Sequence, residues 1–249
     1  MREAIAFSCD VYFYEIARRV GIDSIAKTAR IFGLSGTYDL PVSAVSKGLI
    51  PDREWKKTNY NERWLLGDTL NAGIGQGYIL TTPMQIAVMT ARIASGKKII
   101  PRLISAKAGK MIPFKDPTAL EFEKSTLLQI RNGMKAAVNE TDGTAYKSRI
   151  IKPEFHMAGK TGTAQVRRIT ELERESGVTK NKDLPWKKRD HALFTGYAPT
   201  KKPKYAISVI VEHGGGGSKV AAPIARDIML YALYGKFPPI SAYPDVVAP

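Results

Sequence analysis

One cysteine, Cys9, stands in the 249 residues, and a single thiol excludes an internal disulfide framework and any all-cysteine metal cluster. It leaves the compartment open, since cytosolic and periplasmic proteins both carry lone cysteines. Histidine is almost as scarce. His156, His191 and His213 are scattered and none belongs to a His-x-x-x-His pair, so no metal is expected and each reads as a satisfied or surface side chain. No stretch approaches 18 uninterrupted apolar residues, so nothing reads as a bilayer span. The opening apolar run, up to Phe7, is too short for a secretion signal, which leaves a cytosolic protein or the downstream part of a longer, membrane-targeted one. Acidic residues number 23 against 38 Lys and Arg, and the resulting charge of +15 favours anionic partners without saying which.

What is present is ordinary globular composition, 44% hydrophobic and 24% charged, in a length sufficient for a buried core. No linker demands a division, so a single domain over 1–249 is expected. A buried helix is expected after Asp10, and a second from Asp23 to Gly33. Residues 35–72 read as loop with short elements, rich in Pro, Gly, Asp and Asn. Thr82-Pro83-Met84-Gln85 is a capping box with proline at the first helical position, and predicts a helix to Gly96. Another helix follows Ser125, with Leu127, Leu128, Ile130, Met134 and Val138 inward.

The last third reads as strands at 156–158, 192–197 and 205–211, separated at 166–190 by a long exposed, charged loop. Pro223 opens a closing helix through Ile224, Ile228, Leu230 and Leu233 to Gly235, and 237–249 reads as an irregular tail. The order implies an α+β fold, an antiparallel sheet with the terminal helix packed on it and a helical subdomain.

Lys160-Thr161-Gly162-Thr163 lies at a strand-like segment. An ammonium followed by hydroxyls can bind a carboxylate, and Gly162 leaves room for an extended ligand along the strand. The alternative reading is an exposed basic turn. Ser8-Cys9-Asp10 is weaker alone, because Ser8 or Asp10 would equally serve as a helix N-cap before Val11. The basic clusters Lys56-Lys57, Lys97-Lys98, Lys187-Lys188-Arg189 and Lys201-Lys202 read as solvated faces. Gly214-Gly215-Gly216-Gly217-Ser218 lacks the Gly-Lys-Ser/Thr ending of a phosphate loop and reads as a flexible turn. Gly73, Gly75 and Gly77 miss the dinucleotide spacing and read as tight packing. No cofactor is expected.

A Ser-x-Asp segment on a helix with a later Lys-Thr-Gly strand resembles the frame of the penicillin-recognising enzymes, whose motifs are well known. The stretches at 48–56, 73–78, 82–85, 159–165, 196–199 and 221–225 occur in the same order as in one branch, so from Phe7 to about Leu233 the chain resembles the C-terminal part of the class B peptidoglycan transpeptidases of the penicillin-binding protein 2 family. That resemblance implies a partial penicillin-binding/β-lactamase-like transpeptidase fold and acyl transfer on D-Ala-D-Ala stem peptides in cell-wall elongation. It implies that Ser8 relays a proton to the leaving D-Ala nitrogen and that Asp10 holds the hydrogen bonds around the catalytic lysine. Lys160 keeps the site positive, Thr161 and Thr163 bind the terminal carboxylate, and the Thr163 N–H is one oxyanion donor. Asp10 replaces the Asn of the wider family, a mark of this subgroup.

The family's nucleophile lies in a Ser-x-x-Lys some fifty to sixty residues before this serine, whereas only seven residues precede Ser8 here. Ser24-Ile25-Ala26-Lys27 fits the letters but falls after Ser8 inside a predicted helix, and reads as ordinary helix. The expectation is a transpeptidase portion inactive by itself. Some relatives are thought to bind zinc through the Cys of Ser-Cys-Asp, with ligands further upstream; no metal is expected here. The resemblance further implies stem peptide and β-lactams as ligands, elongation-complex membrane proteins as partners, and the periplasmic face of a bacterial inner membrane. The rival reading is a non-catalytic binding module that keeps the stem-peptide groove and binds anionic glycan or a membrane surface. Nucleic-acid binding is not expected, because no helix or aromatic-rich strand carries clustered Arg and Lys.

Overall fold

Thr82 shows how directly local chemistry builds this protein. In the computed structural model its hydroxyl accepts the Gln85 N–H at 3.1 Å, the Gln85 side chain accepts the Thr82 N–H at 2.9 Å, and Pro83 takes the first helical position. The predicted helix runs as expected and ends on Gly96, at φ 71° in the left-handed region that suits glycine. The structure describes residues 1–43, 45–167 and 169–244, with the side chains of Leu172 and Arg174 also left aside.

The chain falls into two units, Cys9–Gln129 and a second made of Met1–Ser8 with Ile130 onward. The second unit opens with α1 (Arg2–Ala6). The first, helical unit holds α2 (Asp10–Val20), α3 (Ile22–Ile31), α4 (Arg53–Tyr60), α5 (Leu66–Gly73), α6 (Pro83–Ser95) and a small hairpin of β1 (Ala106–Lys107) and β2 (Lys110–Met111). Helix α7 (Lys124–Asn139) follows. The sheet unit continues with β3 (Ala158–Ala164), α8 (Glu171–Ser176), β4 (His191–Ala198), β5 (Tyr205–Val211) and α9 (Ala221–Tyr234).

In the helical unit α2 departs from expectation: Val11 is 75% exposed, Ile16 and Val20 are also exposed, and only Ala17 is buried. Its close contact is with α5, where a Cβ on Gly73 would stand 2.5 Å from that of Ala17. The packing reading of Gly73 therefore holds, while Gly75 and Gly77 occupy positive-φ turns. The stretch 35–72 holds α4 and all but the last residue of α5. Asp52 caps the first by accepting the Trp55 N–H at 2.9 Å, and Asp68 caps the second by accepting the Leu65 N–H at 2.9 Å.

Lys56 corrects the solvated-face reading of the basic clusters. It is 2% exposed, donates to Asp68 at 2.5 Å and lies within 6 Å of the Trp64 and Tyr78 rings. Gln85, buried beneath its cap, also donates to the carbonyls of Gly36 and Lys47, both at 2.9 Å, tying the 36–48 loop to α6.

The sheet has order β3-β4-β5, antiparallel throughout, and β3 lies at its edge. Phe194, Ala192 and Ala198 of β4, with Val209 of β5, pack beneath Ala221, Ala222, Ala225, Met229 and Leu230 of α9. The small residues let the helix approach the sheet, leaving Ile224 and Ile228 exposed. On α7, Leu127, Met134 and Val138 are buried as expected, whereas Leu128 is 54% exposed.

The strands 192–197 and 205–211 form where expected; the first strand begins at Ala158 rather than 156. The 166–190 segment has more order than a loop. It holds α8, two 3-10 turns and a bidentate Arg167–Glu173 pair, both bonds 2.6 Å. Within the tail, Ile240–Ala242 forms a 3-10 turn with Ala242 buried; 245–249 lie outside the described residues.

Candidate functional site

Edge strand β3 places the Lys-Thr-Gly-Thr run. Alternation along the strand puts Lys160 on the face of its ladder partner Thr195, opposite the face where Phe194 packs under α9. Gly159 opposes Gly196 in the ladder, and the Phe194 ring occupies the space two side chains would fill. Tyr197, buried in β4, has its phenol pushed up to about 12 by burial, partly offset by the charge of Arg131, so it stays neutral.

Lys160 Nζ donates to Ser8 Oγ at 2.7 Å and to the Thr161 carbonyl at 2.9 Å. The first bond closes a loop of 152 residues. Ser8 follows α1 and adopts φ 57°, a left-handed conformation rare for serine and costing of order 1–2 kcal/mol. In the sequence Ser8 or Asp10 reads as a cap for α2; the structure gives neither that part. The cap position is Cys9, without a side-chain bond, and the Ser8 hydroxyl turns to Lys160 instead.

Helix α1 is fixed to the rest of its unit by Gly133 of α7, whose missing side chain admits Ile5, and by an Arg2–Glu140 ion pair. Thr144 completes the arrangement: its N–H donates to the Ala6 carbonyl at 3.2 Å, and its Oγ1 accepts from Thr161 Oγ1 at 3.0 Å. One residue thereby links the segment carrying Ser8 to the strand carrying Lys160. Sequence reasoning missed Thr144, whose only local sign is a hydroxyl next to Gly143 in a turn after α7.

Gly162 has a structural partner as well as an open edge. Gly217, buried, packs so closely on the Gly162–Leu193 rung that a side chain there would overlap the backbone of both. The 214–218 stretch is thus a seated turn rather than a flexible one, with Gly215 N–H donating to the Asp190 carbonyl at 2.9 Å. Thr163 is exposed at the end of β3. Asp10 heads α2 in the helical unit, and Ser24 and Lys27 lie on exposed turns of α3 there.

Two histidines far apart in sequence meet in space. His191 Nδ1 accepts the His213 N–H at 2.9 Å, and His213 Nδ1 bonds the Arg189 carbonyl at 2.9 Å beneath the Trp186 ring. Among the described residues no group of three or more His, Cys, Asp or Glu could hold a metal ion, and no helix is long and apolar enough to cross a membrane.

A family model described as the penicillin-binding protein transpeptidase domain matches residues 1–230. Over 98% of its length the chain is 36% identical to the peptidoglycan D,D-transpeptidase MrdA of Haemophilus influenzae, of which it spans 38%. Penicillin-binding protein 2 of Helicobacter pylori, solved in complex with MreC, is 37% identical at a TM-score of 0.77, covering 94% of this chain and 40% of that one. Pseudomonas aeruginosa penicillin-binding protein 2, solved in complex with WCK 5153, is 35% identical at the same TM-score, covering 98% and 52%. The α+β fold expected from the sequence is shared with these structures. The chain belongs to the penicillin-binding protein transpeptidase domain family, in its class B, penicillin-binding protein 2 branch.

Proposed function

We propose that this chain supplies the carboxylate-binding and proton-relay part of a peptidoglycan D,D-transpeptidase site, acting on the D-Ala-D-Ala end of stem peptides, and that both its units form one transpeptidase domain. The observation that supports this reading is the 2.7 Å bond between Lys160 and Ser8, two motif residues that only the fold brings together. In the proposed reaction a serine attacks the penultimate carbonyl, the peptide bond to the terminal D-Ala breaks, and the departing nitrogen takes up a proton. The attacking serine belongs to a Ser-x-x-Lys that is not found ahead of Ser8 in this sequence. The chain spans 38% of its Haemophilus relative, so the complete reaction, its substrate and its partners are part of the proposal.

Each residue has a task in this reading. An ammonium only donates, so Ser8 Oγ accepts from Lys160 and its own O–H remains to donate toward the leaving nitrogen. Lys160 provides positive charge where the substrate carboxylate arrives. Thr161 now donates to Thr144; with a carboxylate bound the pair reverses, Thr144 donating to Thr161 and Thr161 to the ligand, since hydroxyl hydrogens rotate. Thr163 offers its hydroxyl to the same carboxylate and its N–H to the oxyanion, and Gly162 keeps the strand edge open. Asp10 is assigned to the hydrogen bonds around the nucleophile's lysine. The Helicobacter pylori relative was solved with MreC; by the family resemblance the full protein would work with elongation-complex membrane proteins and bind β-lactams, at the periplasmic face of an inner membrane.

An N-acetylated peptide ending in D-Ala-D-Ala, titrated into the chain, tests this by amide shifts. Saturable shifts at Lys160, Thr161 and Thr163 that vanish in Lys160→Ala are expected, without a covalent adduct from fluorescent penicillin. A covalent adduct would mean that the nucleophile lies within these 249 residues. Absence of any shift at β3 would remove the stem-peptide assignment.

A further inference from the structure

The helical unit contains a cleft of about 790 Å³ between one face of α3, the end of α6 and the segment 118–122. Its size is that of a small-molecule site. Four cations line it, Lys27, Arg30, Arg92 and Lys98, against one carboxylate, Glu121. Arg30 is spoken for: it donates to the Ile50 carbonyl at 3.0 Å and to Asp52 at 2.6 Å. Lys27 and Lys98 are exposed and pair with no carboxylate among the described residues.

Arg92 is the telling member. It is 5% exposed, and its guanidinium donates to the carbonyls of Ile31 at 2.6 Å and Ile99 at 3.0 Å. Those bonds engage two of its five N–H groups and leave its charge without a carboxylate among the described residues. Burial accordingly holds its pKa below the usual guanidinium range. A buried cation balanced only by carbonyl dipoles is costly, and an anion drawn into the adjoining cleft recovers part of that cost. Low-dielectric walls lined by one sign of charge concentrate the field further. Ser24, Thr28 and Thr118 add hydroxyl donors around the same space.

We propose that this cleft binds a multiply charged oxyanion, a group recognised by the unpaired charges of Lys27, Arg92 and Lys98 and by hydroxyls on its walls. Phosphoryl and carboxylate groups share that chemistry. The site is independent of the proposed stem-peptide reading, since none of its residues belongs to the Ser8–Lys160–Thr144 cluster.

The test is an amide-shift titration of the 249-residue chain at about 150 mM salt, where long-range surface attraction is screened. Inorganic pyrophosphate is one probe and a tri-glutamate peptide the other. Saturable shifts at Lys27, Thr28, Arg92 and Lys98 are expected with at least one probe. Pyrophosphate alone would identify a phosphoryl ligand, tri-glutamate alone a carboxylate one, and both would support the shared chemistry. Lys27→Gln with Lys98→Gln should weaken binding about tenfold. Lys201→Gln with Lys202→Gln, an equal charge loss on an exposed turn, should leave it unchanged. Shifts that fail to saturate, that spread equally over Lys201 and Lys202, or that survive the Lys27/Lys98 change would overturn the proposal. So would the absence of binding by both probes.

Discussion

Gly159 stands opposite Gly196 in the β3–β4 ladder, and the ring of Phe194 lies across the gap between them. The residue that positions Lys160 is therefore a glycine for reasons of packing. Its ideal Cβ would overlap the Phe194 ring and stand 2.7 Å from the Thr195 carbonyl. Gly159→Ala should lower stability by about 1–3 kcal/mol through overpacking. Urea unfolding measures this, and an unchanged midpoint would show that the ring can yield.

Thr144 links two segments through one hydroxyl and one N–H. Thr144→Val keeps the N–H bond to Ala6 and the side-chain shape, and removes only the acceptor of the Thr161 hydroxyl. Thr161 is half-buried and can turn to water, so the expected loss is about 1 kcal/mol. Thermal denaturation of the Val and Ser variants checks it: Ser should recover most of the loss, and equal melting of Val and wild type would deny the link.

The buried Lys56 carries a different prediction. The side-chain bond to Asp68, foremost, raises its pKa, so the ammonium stays charged. Removing Asp68 leaves that charge, among the described residues, with the more distant Glu62 at 3.7 Å as its carboxylate, and also strips the Leu65 N–H of its acceptor. Replacing Lys56 by Met removes the charge itself. Asp68→Ala should therefore melt at a lower temperature than Lys56→Met, because an orphaned buried charge costs more than a missing pair. The reverse order would place the pair in solvent.

The 166–190 segment should be acid-sensitive. The bidentate bond with Arg167 holds the Glu173 carboxyl at about 2, against an ordinary 4.5. A folded-state pKa below the unfolded one contributes stability that is fully present above pH 4.5 and disappears as pH falls through about 2. The Thr179 N–H, which donates to Glu173 at 3.3 Å, is the reporter. Its NMR shift should titrate with a midpoint near 2; a midpoint near 4.5 would mean that the pair does not persist in solution.

Much of what depends on neighbours within a few positions was legible in the residues alone, although α8, which Thr170 caps, was read as loop. The Thr82–Gln85 box, the glycine stops at 33, 96 and 235, the β5 strand and the closing helix each rest on bonds spanning three or four residues or on simple alternation. The Lys-Thr-Gly-Thr run was legible too, as a family pattern.

The fold alone decided which of those residues meet. Ser8 reaches Lys160 rather than capping α2, Thr144 joins their segments, Lys56 is buried while other Lys clusters stay wet, and His191 bonds to the backbone of His213. These contacts span 12 to 152 positions. Composition and periodicity carry no record of them, because closing such long loops is settled by the collective packing of sheet and helices rather than by any one residue's preference.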